Sequence, residues 1–114
     1  QKAEATAVRL AHTYDLEPET EWVEAFPATH NDEKAVSLLR QVAGEQEREI
    51  LEKAEPFGWS EDFGHFTRKY KGALFGLGAG RQQPALHAPD YDFPDRLIPA
   101  GVSMFMGIIE RLTG

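Results

Sequence analysis

Hydrophobic residues recur along this chain with two different periods, and this pattern constrains its fold more than any other feature. A period of three to four residues in residues 2–15, in residues 31–44 and from Pro99 onward predicts amphipathic helices. Ser60 begins a further predicted helix, because serine caps helices well and two carboxylates follow it. That helix is expected to end at Gly72.

Strands are predicted where the period changes. Residues 20–26 alternate polar with apolar side chains, as a strand with one buried face does. Residues 73–77 form a short apolar run of buried-strand length, and residues 49–51 fit either a short strand or a helical turn. Strands that alternate with helices are typical of the α/β class, so we predict an α/β fold.

Composition narrows the function before any motif is considered. The net charge is −7, with 12 basic and 19 acidic residues, which disfavours nucleic acid as a partner. The chain has no cysteine and therefore no disulfide or thiolate metal site. No apolar run approaches the ~20 residues of a membrane helix, and we expect a cytoplasmic protein. The first residues, Gln1 to Glu4, have neither an initiator methionine nor a signal-peptide pattern, which indicates a segment of a longer protein.

The loop around His87 is the most interesting candidate for chemistry. It follows a predicted strand at its carboxyl end, where ligands bind in open α/β sheets. A neutral imidazole among prolines and carboxylates, in LHAPDYDF at residues 86–93, can bind a metal ion. One ligand makes no metal site, so an ordinary loop histidine is the alternative. The spacing of the other histidines forces no metal pair; they are His12, His30 and His65.

A second candidate is the predicted helix start at Ser60 and Glu61. Its free N–H groups, together with the Ser60 hydroxyl, could line a pocket and hold a substrate anion. The alternative is a plain helix cap, which already explains these residue types. The glycine-rich residues 76–80 are rejected as a dinucleotide loop, because no helix follows them directly.

Five short motifs stand in an order and at a spacing that resemble one enzyme family. They are FPATHND at 26–32, SEDF at 60–63, LGAG at 77–80, LHAPDYDF at 86–93 and IPAG at 98–101. Together they resemble the end of the metal-dependent amidohydrolases and metallopeptidases of family twenty, which include aminoacylases, hippurate hydrolases and auxin-conjugate hydrolases. The resemblance covers nearly the whole chain. Trp59 departs from it, because many relatives have glycine before the serine.

The resemblance implies a fold and a division into two domains. Residues 1–26 would be the last helix and strand of a small α+β lid domain, through which a homodimer could form. Residues 27–114 would be the C-terminal part of a catalytic domain with a mixed sheet, similar to that of the zinc exopeptidases.

The resemblance also implies roles for particular residues. The histidine of the LHxP-like loop is a metal ligand in this family, so His87 is a predicted metal ligand. Ser60 and Glu61 would line the active-site cleft and contact the substrate. No catalytic residue is expected within this segment, because the general base and the other metal ligands would lie upstream. The intact subunit would hold up to two divalent metal ions, usually zinc but sometimes manganese, cobalt or nickel.

The implied reaction is hydrolysis of the amide bond of an N-acyl amino acid or a short peptide. Two metal ions activate a bridging water and polarise the carbonyl, and a glutamate takes the proton of that water. The isolated chain lacks this catalytic set and is predicted to be inactive. Two alternatives stay open: a non-catalytic structural or oligomerisation module derived from the same family, and a metal-free domain that binds a small ligand.

Overall fold

The structure is a computed structural model that describes residues 2–59 and 61–114. Its regular elements are helical and follow one another as α1 (Lys2–Thr13), α2 (Glu33–Glu45), α3 (Gly64–Thr67), a one-turn 3₁₀ helix (Asp95–Leu97) and α4 (Ile98–Thr113). No strand occurs among the described residues. None of the described helices combines the length and the apolar character needed to span a bilayer.

The first helix confirms the one predicted at residues 2–15, but no residue of α1 is buried. Leu10 and Tyr14, which belong to its predicted apolar stripe, are largely exposed. The chain then turns at Asp15, where φ is +53°, and continues without regular structure as far as α2. The assignment of residues 1–26 to a lid domain therefore stays a prediction.

Asp32 starts the second helix as its N-cap. Its Oδ1 atom accepts hydrogen bonds from the Lys34 and Ala35 N–H groups, at 3.0 and 3.1 Å. These bonds satisfy two of the N–H groups that a helix start leaves unpaired. The sequence favoured Asn31 as the cap, so the predicted helix is correct and its predicted cap is one residue too early.

The same helix ends in a Schellman motif, three residues later than predicted. Arg48 N–H donates to Ala43 O at 2.9 Å, and Glu47 N–H donates to Gly44 O at 3.0 Å. Glu47, with a φ of +52°, occupies the left-handed position that was expected for Gly44. Helix α2 therefore ends by the predicted mechanism, but the left-handed residue is a glutamate instead of a glycine.

The core lies where α2 packs on α4. Its buried side chains are Val42 (1% exposed), Ala43 (8%) and Met104 (4%). Gly107 of α4 permits the close approach, because a Cβ there would lie 2.7 Å from Val42 Cγ1. The Gln46 side chain extends the contact by donating to Ser103 O at 2.8 Å and accepting from Ser103 Oγ at 2.7 Å.

Only one side of the last helix is covered. Pro99 lies in its first turn, as predicted. Met104 and Ile108 pack into the core, whereas half or more of the surface of four predicted stripe residues is exposed: Val102, Phe105, Ile109 and Leu112. The prediction of one wide buried stripe is therefore only partly correct. The hydrophobic period gives the direction of a stripe but not the number of neighbours that cover it.

The predicted strands are absent because a strand exists only through hydrogen bonds to a neighbouring strand. Residues 20–26 make no backbone hydrogen bond to another described segment, and Glu24, with a φ of +52°, interrupts their extended conformation. Residues 49–51 are also unpaired within the described chain. The predicted α/β class, with its mixed catalytic sheet and α+β lid, is therefore wrong for this structure.

Residues 73–77 come closest to a strand. The Leu74 N–H donates to Asn31 Oδ1 at 2.8 Å, and Asn31 Nδ2 donates to Leu74 O at 3.0 Å. Next to this pair, Asp32 N–H donates to Gly72 O at 2.9 Å. A side-chain amide, which carries both donors and an acceptor, thus pairs with the backbone as a neighbouring strand would.

The chain as a whole is elongated. Its principal extents are 63 × 36 × 23 Å and its radius of gyration is 19.8 Å, compared with about 13 Å for a compact domain of this length. Large apolar side chains such as Trp22, Val23 and Leu51 are therefore left mostly exposed.

Candidate functional site

An open cleft of about 890 Å³ lies next to the core and is the candidate site. Its apolar lining includes Leu39, Phe75 and Met104, and two loops, residues 26–31 and 48–59, contribute most of the remaining lining. Small-molecule sites usually enclose about 300–1,000 Å³ with mostly apolar walls and a few polar groups. The cleft therefore has the size and character of a small-molecule site.

The loop of residues 26–31 is fixed at both ends. Near its start, Gly64 lies so close that a Cβ there would be 2.9 Å from Pro27 C and 3.2 Å from Ala28 C, and closer still to the Pro27 carbonyl oxygen. At its end, the Asn31 amide pairs with the Leu74 backbone. This edge of the cleft is consequently held by backbone packing and by two hydrogen bonds.

Charges of both signs line the cleft. Arg40 and Glu52 form an ion pair at 2.7 Å, with side chains that are 55% and 70% exposed. An exposed pair of this kind contributes only ~0–1 kcal/mol, so a charged ligand could replace either partner at little cost. Arg48 Nε donates to Gln46 Oε1 at 2.8 Å, which links the cleft to the contact between α2 and α4.

Two aromatic rings form a flat wall of the cleft. Phe57 and Trp59 stack with ring centroids 4.3 Å apart and planes inclined by 9°, and both rings line the cleft. The Lys53 ammonium lies 5.7 Å from the Phe57 ring centroid, within the range of a cation–π interaction. The sequence motifs drew attention to Trp59, and Phe57 was given no role of its own. The two-residue spacing was the available signal, because residues i and i+2 of an extended segment share a face.

Glu61 lines this cleft, and its carboxylate has a local partner. Glu61 Oε1 accepts a hydrogen bond from the Phe63 N–H at 3.2 Å, so the carboxylate caps the turn before α3. Ser60, the other predicted substrate contact, lies outside the described residues. The helix predicted from Ser60 is much shorter than expected, since α3 spans only Gly64–Thr67. The predicted anion site required the start of a long helix, whereas the helix found here has four residues.

His87 lies apart from this cleft, in the loop that precedes the 3₁₀ helix. It is the third residue of a turn closed by the Ala88 N–H, which donates to Ala85 O at 2.9 Å, and its φ is +70°. Its side chain is exposed and makes no hydrogen bond or ion pair within residues 2–59 and 61–114. His87 does not line the cleft with Glu61. The structure therefore does not bring these two predicted site residues together.

The residues of this chain fit a metal ion only in part. An exposed imidazole without a protein partner suits a divalent ion such as zinc. However, the described residues contain no group of three or more histidine, aspartate or glutamate side chains that could hold a metal ion. His87 can thus supply one ligand, and the remaining ligands would have to come from elsewhere.

The other three histidines lie in three different surroundings. His65 meets the edge of the Phe26 ring, with centroids 6.4 Å apart, and His12 is exposed near the end of α1. His30 lines the cleft and also a shallower hollow whose lining includes Arg68, Lys69 and Lys71. None of them belongs to a metal-binding group among the described residues.

The fold and the cleft define a chain whose regular elements are helices, with a cleft of small-molecule size and a surface histidine that has no partner among the described residues. The model of Peptidase family M20/M25/M40 matches residues 3–111, and the chain belongs to this family. The family is one of metal-dependent amidohydrolases and peptidases. The family assignment made from the sequence motifs is therefore confirmed.

Two curated relatives share the same name, N-acetyldiaminopimelate deacetylase. The protein from Lactobacillus acidophilus is 26% identical over 105 residues, which cover 90% of this chain and 27% of the relative. The protein from Lactobacillus helveticus is 24% identical over 107 residues, which cover 92% of this chain and 28% of the relative. This chain thus spans little more than a quarter of the length of either relative. No solved structure matches it at a significant level.

Proposed function

We propose that the full-length protein is a metal-dependent amidohydrolase that cleaves the amide bond of N-acyl amino acids or short peptides. In this proposal, residues 27–114 form the C-terminal part of the catalytic domain, and residues 1–26 belong to a lid domain that also mediates a homodimer. The observation that carries the proposal is the family match over residues 3–111. The name shared by the two relatives supports an N-acyl substrate.

His87 is the proposed ligand of one of two divalent metal ions, with zinc as the expected metal. Its imidazole is exposed and unpartnered within the described residues, so both ring nitrogens are available. Its left-handed backbone, at a φ of +70°, costs roughly 1–2 kcal/mol for a residue with a Cβ. Strain of this kind clusters at functional sites, where the position of a side chain matters more than local stability. The other ligands and the general base would come from residues outside this chain.

Glu61 and Ser60 are the proposed substrate contacts of this chain. Glu61 lines the cleft, and its Oε1 atom is held by the Phe63 N–H. A carboxylate fixed in this way can accept a hydrogen bond from a substrate amide or ammonium group without a further loss of side-chain freedom. Ser60 is adjacent in sequence and brings a hydroxyl group.

Replacing His87 tests the proposal most directly. His87→Ala in the full-length protein should remove most amidohydrolase activity and lower the metal content by about one ion per subunit, because one imidazole ligand is lost. Activity is measured on N-acyl amino acids, and metal content by elemental analysis of the purified protein. His12→Ala is the matched control, since His12 is also an exposed histidine and lies in α1. The control should retain both activity and metal.

Different results would contradict the role of His87 and the proposed hydrolase activity. Unchanged activity and metal content in His87→Ala would remove His87 from the metal site. If the wild-type protein hydrolyses no N-acyl amino acid or peptide with zinc or manganese, the proposed activity is wrong. The isolated 114-residue chain should be inactive under the same conditions, and turnover by it would contradict the view that the catalytic set lies elsewhere.

A metal-free domain that binds a small ligand is the second candidate. It is favoured by the cleft of about 890 Å³ together with the lack of a three-residue metal-binding group in the described chain. Elemental analysis of the full-length protein distinguishes the two, because the enzyme should contain up to two metal ions per subunit and the binding domain none.

A further inference from the structure

The loop of residues 80–95, called the His87 loop, is closed at its base by a long-range hydrogen bond. Arg96 Nη2 donates to Ala79 O at 2.6 Å, and these two residues flank the loop in the chain. The guanidinium group lies near the backbone of Gly80, where a Cβ would be 3.8 Å from Arg96 Nη2 and where a φ of +99° suits glycine. One side chain thus joins the base of the loop across 17 positions of the sequence.

A second hydrogen bond joins the two arms of the loop further from its base. Gln83 Nε2 donates to Asp92 O at 2.6 Å, and Gln83 is half-buried. Between these two residues the backbone forms a turn in which the Ala88 N–H donates to Ala85 O at 2.9 Å. His87 is the third residue of this turn. Its imidazole is therefore carried by a hydrogen-bonded segment inside a closed loop.

Both ends of the His87 loop are attached to the packed part of the chain. Arg96 lies in the 3₁₀ helix that runs directly into α4, and α4 packs on α2 through Met104. Ahead of the loop, the Leu74 backbone is paired with the Asn31 amide, next to the cap of α2. The two closing hydrogen bonds therefore hold the loop relative to the core.

We propose that Gln83 and Arg96 are positioning residues, which keep most molecules in one conformation of the His87 loop before a metal ion binds. This inference rests on the proposed role of His87 as a metal ligand. The imidazole makes no hydrogen bond or ion pair within residues 2–59 and 61–114, so only the backbone of the loop can place it. A ligand that binds one conformation has an apparent affinity reduced by the fraction of molecules in that conformation.

The test is a zinc titration of the full-length protein, in which a chelating indicator reports the dissociation constant. Gln83→Ala and Arg96→Ala should each raise the dissociation constant of one zinc site about tenfold, the lower end of the range for groups that orient a metal ligand. Arg96→Lys keeps a donor and should stay close to the wild type. Loss of a positive charge alone would strengthen the binding of a cation, so the change expected in Arg96→Ala is opposite in sign to the electrostatic effect.

Gln82→Ala and Arg81→Ala are the matched controls. Both residues lie in the same loop and are exposed. Neither side chain has a hydrogen bond or an ion pair within the described part of the chain. Each control makes the same chemical change as one of the test variants without breaking a closing bond, so the zinc dissociation constant should be unchanged.

Activity as a function of zinc concentration separates positioning from a general loss of structure. Saturating zinc shifts the loop back to the conformation that binds the metal, so kcat on an N-acyl amino acid should return to the wild-type value in both test variants. A kcat that stays low at saturating zinc, or an unchanged zinc dissociation constant in both variants, would overturn the inference.

Hydrogen exchange of the metal-free protein tests the loop independently of the proposed activity. The Ala88 and Tyr91 N–H groups are hydrogen-bonded inside the loop, and they should exchange faster in Gln83→Ala and Arg96→Ala than in the wild type or the two controls. Unchanged exchange would overturn the inference whatever the zinc result. A wild-type protein that binds no zinc would instead contradict the proposed metal site, and faster exchange in the two variants would then still support the closed loop.

Discussion

Replacing Gly64 with alanine should destabilise the protein, because a backbone segment occupies the space that the new methyl group needs. Gly64 is buried at the start of α3. The Cβ would lie 2.9 Å from Pro27 C and 3.2 Å from Ala28 C, and nearer still to the Pro27 carbonyl oxygen. These are backbone atoms, which cannot rotate away as the end of a side chain can. The loop that forms one edge of the cleft must therefore move.

The magnitude follows from two opposing effects. Forcing an extra methyl group into a packed site costs about 1–3 kcal/mol, and a rigid backbone neighbour places Gly64→Ala at the upper end of that range. Alanine is favoured over glycine in a helix by about 1 kcal/mol, which offsets part of the cost. The expected net loss is about 2 kcal/mol, or roughly a 30-fold change in the unfolding equilibrium constant.

Urea denaturation of the full-length protein, followed by circular dichroism, measures this loss as a change in the free energy of unfolding. Gly44→Ala is the matched control, because Gly44 lies inside α2 and a Cβ there would have no neighbour within 4 Å. The control should gain up to about 1 kcal/mol from helix propensity. If Gly64→Ala proves as stable as the wild type, the loop of residues 26–31 does not pack on α3 in this way.

Two further predictions concern single side chains. Asp32→Ala should lower the free energy of unfolding by about 1 kcal/mol, because it removes the cap bonds to Lys34 and Ala35. In the same urea experiment, Asp32→Asn should stay within a few tenths of a kcal/mol of the wild type. Equal losses in both variants would contradict the capping role. In the metal-free protein, His87→Gly should raise the free energy of unfolding by up to about 1 kcal/mol, because glycine adopts a φ of +70° without strain. Elemental analysis of the metal-loaded variant should show the loss of one metal ion. A variant that was both less stable and fully metal-loaded would contradict this account.

Helices were predictable from the sequence because their determinants are local. The period of α2 and its acidic start lie within a few residues of each other, and Pro99 marks the first turn of α4. The error at the start of α2 has a non-local cause. Asn31 was the better cap by position, but its amide pairs with Leu74, which is 43 residues away. Asp32 then takes the cap. No local pattern contains that pairing.

The strand predictions were also wrong because pairing depends on residues that are distant in the sequence. The alternation in residues 20–26 indicates a face that needs covering, but the partner that would pair with it is not encoded in those residues. Within the described chain, residues 73–77 find one side-chain amide and residues 20–26 find no backbone partner. A period of two therefore predicted a requirement for pairing, not the presence of a partner.

The sequence motifs predicted that Glu61 lies on the wall of the active-site cleft. Glu61 lines the candidate cleft of the structure, and its role as a substrate contact stays a prediction. The motif order also associated the His87 loop with the same site, but the structure keeps the two apart. Phe57 was missed because stacking depends on the backbone of residues 57–59 and on the bare backbone at Gly76.

Two failed predictions share one physical requirement. Strand pairing at residues 20–26 and burial of the outer face of α4 each need groups that the described chain does not supply. The metal site has the same requirement, because its other ligands were predicted to lie upstream and the described residues contain no group of three ligands. The radius of gyration of 19.8 Å is large for a chain of this length, which agrees with this lack of covering groups. If the full-length protein is the proposed amidohydrolase, its remaining residues should cover the exposed stripe of Val102, Phe105 and Ile109 and complete the metal site in one folding event. Metal removal from that protein should then increase hydrogen exchange in the His87 loop, whereas α2, whose cap and packing lie within this chain, should remain protected.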